Sequence, residues 1–556
     1  MTTISGHMWR PGKLYSAKQV RELDRIVIEK SGVSGYELMQ RAGRFSYQTL
    51  KQRYPLKSHY ISVICGCGNN AGDGYVLAKL AMEDQDETGR QIIIYNCFNP
   101  EKLKGDAKRT YQELLTLDSE FIEFIDMYKY FENDDLIDEE FLESEILKYQ
   151  FFLRPNAVIV DAIFGTGLTR DIDNENLSTF IKILNKSSHP ILSIDIPSGI
   201  NADTGSVMGV AVNADVTTTF IGRKRGMFTH DGCEYSGEIL FDYLDVPPPS
   251  LNELKDEDIK CYDLEESRGS KFLSVLSTRV RNAHKGNFGH VLVIGGDEGY
   301  LGAAQMAAEA AMRVGSGLVS VATRKSHAAQ LSAAIPEIMS HGVETLDKLM
   351  PLIKRASVIA IGPGLGQSEW AKLLFARVLE LDLPIIIDAD ALNLLAEEEQ
   401  SSPNWIITPH PGEAARLLKT DVTTVQSDRY QSAKMLYEKY QAPVVLKGAG
   451  SIVTDLQGNL LVCNAGNPGM STGGMGDVLT GVIAGLIAQG VDIETATQAG
   501  VLMHARAADL AAEFGERGMM ATDLMPYLRK LANLWSRQSL FTFTGRLQTT
   551  DNDKNT

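Results

Sequence analysis

Short, continuous apolar runs, separated by amphipathic or alanine-rich stretches, constrain this chain more than any other feature. In the first half they occupy residues 60–65, 91–95, 157–160 and 191–194; in the second, 290–294, 317–322, 358–361, 384–387, 405–408 and 443–447. Runs of this length without polar alternation read as strands buried on both faces of a parallel sheet, and the helical stretches between them read as crossovers. That alternation predicts an α/β fold with doubly wound sheets. Pro247-Pro248-Pro249-Ser250 and the charged segment 252–260 interrupt every periodic pattern, so a domain boundary is expected there. The expected domains are 10–248, a Rossmann-like doubly wound sheet, and 260–540, a second and larger α/β unit. No solenoid-type repeat is visible.

A length of 556 residues exceeds what one hydrophobic core supports, in keeping with two domains. The formal net charge of −17 repels phosphate backbones and anionic lipid, so neither a nucleic-acid nor a membrane partner is expected. Residues 1–13 contain no apolar export core, and the best apolar run, 478–491, falls short of the roughly 20 residues that span a bilayer. Cys65, Cys67, Cys97, Cys233, Cys261 and Cys463 are scattered without metal or redox spacing, which suits free thiols in a cytoplasmic protein. Residues 113–149 are strongly acidic and read as a solvated helical insertion without a catalytic part. Residues 548–556 read as a frayed tail. Alanine-rich helices such as 303–311 suit close packing against a neighbouring subunit, so a homo-oligomer is expected.

The chemistry is concentrated in Asn467-Pro468-Gly469-Met470-Ser471-Thr472-Gly473-Gly474-Met475-Gly476-Asp477, which runs into an apolar helix. Glycines let backbone approach a polyphosphate, amides at a helix N-terminus form an anion hole, and one carboxylate can take a proton from an attacking hydroxyl. A tight turn before a core helix is the plain alternative. No P-loop signature occurs. Gly295-Gly296, Gly299-Tyr300-Leu301-Gly302-Ala303-Ala304, Gly362-Pro363-Gly364-Leu365-Gly366, Asp388-Ala389-Asp390, Thr408-Pro409-His410-Pro411-Gly412-Glu413 and Lys447-Gly448-Ala449-Gly450-Ser451 mostly follow predicted strands. Singly, these read as turns, helix caps or a structural histidine; together they read as one site.

In the first half, Gly66-Cys67-Gly68-Asn69-Asn70-Ala71 formally matches the dinucleotide fingerprint, yet Tyr95-Asn96-Cys97-Phe98 supplies no acid for a ribose, which disfavours a dehydrogenase. Asn69-Asn70-Ala71-Gly72-Asp73-Gly74, Asp161-Ala162-Ile163-Phe164-Gly165-Thr166-Gly167-Leu168 and Asp195-Ile196-Pro197-Ser198-Gly199 would converge at strand ends, as a hard-oxygen site for a polar ligand or an alkali or alkaline-earth ion. Capping is the alternative for each acid.

These motifs resemble those of the NAD(P)H-hydrate epimerase domain, and the second half resembles its usual fusion partner, the ribokinase-like NAD(P)H-hydrate dehydratase; the resemblance covers about residues 10–540. It implies metabolite repair: the R and S hydrates (NADHX, NADPHX) are interconverted, and the S form is dehydrated to NAD(P)H with ADP, or ATP in eukaryotic members. By analogy the epimerase half binds substrate through Asn69, Asn70, Ala71, Gly72, Asp73, Gly165, Thr166, Gly167, Leu168, Thr169, Arg170, Asp171 and Asp195, with potassium on Asn70, Asp161 and Ser198. Ala71 departs from the family's more frequent glycine. In the dehydratase half the same analogy puts Ala303, Gly366, His410 and Asp477 on the hydrate, and Lys447, Gly448, Ala449, Gly450, Ser451 and Gly476 on the adenine nucleotide, accompanied by Mg²⁺. Asp477 is the expected catalytic base and Asp161 the expected proton carrier. A small-alcohol kinase with a nonenzymatic N-terminal domain is the alternative reading.

Overall fold

The computed structural model describes residues 12–54, 60–84, 90–117, 121–131, 157–246, 259–261, 276, 279–398 and 400–533. The proline-rich boundary, the tail at 548–556 and most of the acidic stretch lie outside these residues. The chain forms two compact units, Met1–Ile259 and Lys260–Thr556.

The first unit is built on a seven-stranded, all-parallel sheet. Its spatial order is Ile122–Ile125, Gln91–Asn96, Tyr60–Cys65, Val158–Ala162, Ile191–Ile194, Val216–Phe220, Glu238–Asp242. The chain starts at Tyr60–Cys65, winds outward on one side, then returns to pair Val158–Ala162 with that same first strand and winds out on the other. The crossover point therefore lies between Cys65 and Asp161. Ile61, Val63, Ile92, Ile94, Val158 and Val160 are buried against Leu38, Ala71, Tyr75 and Ala78 of the flanking helices. Ile64, Ile93, Tyr95 and Ile159 fill the opposite face with Phe180 and Leu184.

Three of these strands escape a reading for apolar runs. Ile122–Ile125 lies in the acidic stretch expected to be helical; it is a half-buried edge strand, and edges tolerate charge because one side faces solvent. Val216–Phe220 is a threonine run whose hydroxyls are buried but satisfied: Thr217 Oγ1 donates to Ser236 O (2.7 Å), and Thr218 Oγ1 pairs with Ser46 Oγ (2.9 Å). Glu238–Asp242 is the other edge.

The second unit centres on a six-stranded parallel sheet ordered Met339–Gly342, Leu318–Thr323, His290–Ile294, Val358–Ile361, Ile385–Ile387, Trp405–Ile407. Its crossover lies between Ile294 and Ile361. Ile407 bridges to Val444, and Val445–Leu446, Ser451–Thr454 and Leu460–Cys463 continue as an antiparallel meander. Two helices pack closely beneath this sheet. Leu301–Arg313 lays Ala307 and Ala311 against Gly481 and Gly485 of Met475–Ala488, and a Cβ on Gly481 would stand 2.0 Å from Ala307 O. The alanine face expected to meet another subunit is thus consumed inside the domain: Ala304, Ala307, Ala308, Ala310 and Ala311 are all buried there.

Among the described residues no helix is long and apolar enough to cross a membrane. Cys65, Cys67 and Cys97 are free thiols.

Candidate active sites

Ligands of doubly wound sheets bind outside the carboxyl ends of the strands where the winding reverses. In the first unit the loops leaving Cys65 and Ala162 meet there, so closely that a Cβ on Gly66 would lie 1.9 Å from Ile163 O. Asp161 is fully buried and accepts four hydrogen bonds: from Ser193 Oγ (2.8 Å), Ser198 N (2.8 Å), Ser198 Oγ (2.6 Å) and Ile163 N (3.3 Å). Burial raises its pKa, and these donors oppose the rise. Phe164 N donates to Ser198 Oγ (2.8 Å), and Asn70 Nδ2 donates to Phe164 O (3.0 Å). Asn70 is 6% exposed and its Oδ1 has no hydrogen-bond partner. A buried amide oxygen without a donor is costly unless something positive approaches it.

Beside this network Asp195, in a left-handed conformation at φ 71°, pairs with the buried Lys224, which also donates to Thr219 Oγ1 (2.9 Å). The space over Gly165 is flanked by Asp195 Oδ2 and Asn70, 3.1 Å and 3.5 Å from where a Cβ would stand. Ala71 and Gly72 are buried, Ala71 in the core and Gly72 against Met39, so the departure from glycine at position 71 puts its methyl into the interior. Asn69, Gly167, Thr169, Arg170 and Asp171 are exposed; Thr166 and Leu168 are half-buried.

In the second unit, Asp388 and His410 follow two successive strands of the sheet at their carboxyl ends, and Lys447 follows Val445–Leu446, whose chain bridges to the sheet at Val444. Asp388 is not a helix cap. Its Oδ1 accepts from Lys447 Nζ (2.8 Å) and its Oδ2 from Thr480 Oγ1 (2.8 Å). Burial works to raise the Asp388 pKa, but the Lys447 charge and these donors hold it below the usual range. Glu413 Oε2 lies 3.7 Å from the same ammonium, and burial raises its pKa.

Helix Met475–Ala488 aims its N-terminus at this group. Its first backbone hydrogen bond runs from Val478 N to Gly474 O (3.0 Å), so the amides of Met475, Gly476 and Asp477 precede the helical ladder, as helix geometry requires. The helix has no side-chain cap, which leaves the Asp477 carboxyl uncommitted to that role. Burial first, then the neighbouring Asp388 charge, push the Asp477 pKa up to about 7 against the pull of Lys447. A Cβ on Gly476 would lie 3.2 Å from Lys447 Nζ, a tight approach that the bare backbone relieves. The arrangement is an anion hole, a cation and a base poised near neutrality, which is what phosphoryl transfer to an alcohol demands.

Around this centre, Gly366 N donates to Asp390 Oδ2 (2.9 Å), and Ala303 packs beside Gly364. His410 caps helix Pro411–Leu418 through Nδ1, leaving half of its side chain exposed. The loop 447–451 is shaped from behind by the buried Arg429, which donates to Leu446 O and Lys447 O (both 3.2 Å), and Ser451 Oγ braces Gly448 O (3.0 Å). Gly448 and Ala449 are exposed, and Gly450 is buried. Sequence reasoning missed Thr480, Arg429 and Lys224; each acts through a partner distant along the chain.

The family model described as NAD(P)H-hydrate dehydratase matches residues 291–530, and that of the YjeF-related protein N-terminus matches 35–226. A bifunctional NAD(P)H-hydrate repair enzyme Nnr of Coxiella burnetii is 45% identical over 94% of this chain and 99% of its own. The chain belongs to this family. The Escherichia coli member is 38% identical over 94% of each chain. The solved ADP/ATP-dependent NAD(P)H-hydrate dehydratase of Bacillus subtilis, co-crystallised with ATP/Mg²⁺, is 29% identical over 48% of this chain and 96% of its own, with a TM-score of 0.43.

Proposed function

We infer that the chain is a two-step repair enzyme for hydrated nicotinamide nucleotides: the first unit interconverts the R and S hydrates of NADH and NADPH, and the second dehydrates the S form. The observation that carries this reading is Asp477, uncapped and close to neutrality, at the mouth of a glycine-lined helix N-terminus beside the Asp388–Lys447 pair. Hydroxide is a poor leaving group. Asp477 takes the proton of the C6 hydroxyl as its oxygen attacks the terminal phosphoryl group of ADP or ATP. The amides of Met475, Gly476 and Asp477, with Lys447, hold the phosphoryl oxygens. Phosphate then departs from C6 as the ring nitrogen's lone pair forms a C6=N1 iminium, and loss of the C5 proton to the departing phosphate forms the C5=C6 bond, which returns the electron pair to nitrogen and restores the dihydropyridine. Loop 447–451 is the nucleotide's rest, and Ala303, Gly366 and His410 border the hydrate. Mg²⁺ bound to the nucleotide phosphates would offset part of their charge; among the described residues no group of three His, Cys, Asp or Glu side chains forms a metal cage.

In the first unit the oxygen donors fit potassium. The orphaned Asn70 Oδ1 and the Ser198 hydroxyl offer lone pairs, and the buried Asp161 carboxylate beside them supplies compensating charge. A bound potassium ion would fix the two substrate loops against each other. Substrate lies along Asn69–Asp73, Gly165–Asp171 and Asp195.

A single progress curve tests the reading. Purified protein with mixed-epimer NADHX, Mg²⁺ and either ADP or ATP recovers reduced-nicotinamide absorbance to completion, and the faster nucleotide is the donor. A stable phosphate ester without absorbance recovery overturns it in favour of a small-alcohol kinase.

A further inference from the structure

Resting on the dehydratase reading, the geometry around His410 decides what that residue can do to a bound hydrate. The imidazole stands at the N-cap of helix Pro411–Leu418, where its Nδ1 accepts hydrogen bonds from Gly412 N (3.0 Å) and Glu413 N (3.4 Å). A backbone N–H cannot donate to a nitrogen that carries a hydrogen. Nδ1 therefore keeps its lone pair, and the ring hydrogen sits on Nε2. Protonating Nδ1 would turn a third N–H against those two and break the cap. The surroundings oppose it as well: burial first, then the charges of Lys447 and Arg416, hold the His410 pKa below its usual range against the pull of Asp388.

Glu413 fixes the pose from the other side. Its side chain is 6% exposed, and Oε2 accepts from His410 N (2.8 Å) while standing 3.7 Å from Lys447 Nζ. Lys447 N in turn donates to Pro409 O (2.9 Å), in the residue before His410. The turn that carries the imidazole and the strand end that carries the ammonium are thus joined twice, through the Glu413 carboxylate and through backbone. Glu413 Oε1 lies 3.4 Å from Nε2, but the ring's hydrogen bonds among the described residues all go to Nδ1. With 51% of the side chain exposed, Nε2–H remains available to a ligand.

We propose that His410 acts only as a hydrogen-bond donor, presenting Nε2–H to an oxygen of the bound hydrate, and that Glu413 is the positioning residue that holds the imidazole in that pose and ties it to Lys447. The ring has no lone pair to offer the substrate, so it takes no proton from C5 of the iminium. That proton goes to the departing phosphate, the C6 hydroxyl proton goes to Asp477, and neither His410 nor Glu413 changes protonation during the reaction. A donor engaged equally before and during the chemical step contributes to KM rather than to kcat.

The test uses the full-length enzyme with S-NADHX, ADP or ATP, and Mg²⁺. Asparagine also caps a helix through its side-chain oxygen, so His410→Asn keeps the cap and deletes the donor. It raises KM for S-NADHX about 3–10-fold, the worth of one hydrogen bond, with kcat, Tm and the acid limb of the rate retained. Glu413→Ala raises KM in the same way. Glu413→Gln removes the same charge but keeps an oxygen for His410 N, and restores KM toward the wild-type value. Wild-type KM in His410→Asn would reduce the histidine to a cap, and a kcat loss of about 10²-fold with disappearance of the acid limb would make it a proton acceptor; either overturns the assignment. A Glu413→Gln enzyme as impaired as Glu413→Ala overturns the positioning role. Wild-type enzyme that returns no NADH from S-NADHX overturns the dehydratase reading instead.

Discussion

Both units place a lysine–carboxylate pair at the carboxyl ends of parallel strands, but they face it in opposite directions. At Lys224–Asp195 the lysine side chain is 1% exposed and the carboxylate 19%; at Lys447–Asp388 the lysine is 21% exposed and the carboxylate 1%. The first site shows its ligand an acid backed by a hidden cation, and the second shows a cation backed by a hidden acid. Beside the exposed carboxylate stands an unpaired amide oxygen, which suits a potassium ion. Around the exposed ammonium stand bare amides at a helix N-terminus, which suit a phosphoryl group. One charge pair thus serves two chemistries, and the choice lies in which member faces the ligand.

The comparison breaks most readily at the exposed lysine. Lys447→Met is expected to slow nucleotide-dependent dehydration of the S epimer about 10²–10³-fold, the loss usual for one donor to a developing oxyanion, and to leave R/S interconversion intact, which chiral chromatography of the hydrates reads directly. The same variant sharpens it by pH. Asp477 works deprotonated, so the wild-type rate falls as pH drops below about 7; without the ammonium the proton binds more tightly, and the fall moves to higher pH.

Next in size is the support beneath the anion hole. Gly481→Ala drives a methyl into Ala307 O and is expected to cost about 1–3 kcal/mol, the range for overpacking. Thermal unfolding reads it as a lower Tm, with kcat for dehydration reduced and epimerisation retained. A smaller effect is expected in the first site, where Asn70→Leu removes the orphaned oxygen; the potassium dependence of R-epimer consumption should vanish while the dehydratase keeps its rate, and retained dependence would place the ion elsewhere. Smallest is Thr480→Val, which deletes one donor to the buried Asp388 and is expected to cost about 1 kcal/mol in denaturant unfolding.

Much of this arrangement was legible in the chain because parallel strands buried on both faces leave continuous apolar runs, and because bare-backbone turns need glycine. Residues 60–65, 191–194, 290–294 and 358–361 were read with their observed bounds. The Val216–Phe220 strand was not, since threonine reads as polar until its hydroxyl partners are known. The loop ending in Gly476-Asp477 announced itself by composition. Lys224 did not: a lysine in Gly222-Arg223-Lys224-Arg225 reads as solvated, and only the fold buries it beside Asp195. Asp161 was legible as a site residue at a strand end, but its four hydrogen-bond donors, which argue for a fixed charge rather than a proton carrier, come from residues two to 37 positions further on.

The most direct measurement is the single turnover of S-NADHX by Asp477→Asn with saturating nucleotide. The arrangement described here predicts a fall of about 10²–10⁴-fold, the worth of a positioned general base, with nucleotide affinity by calorimetry unchanged. Recovery of NADH at the wild-type rate would contradict it.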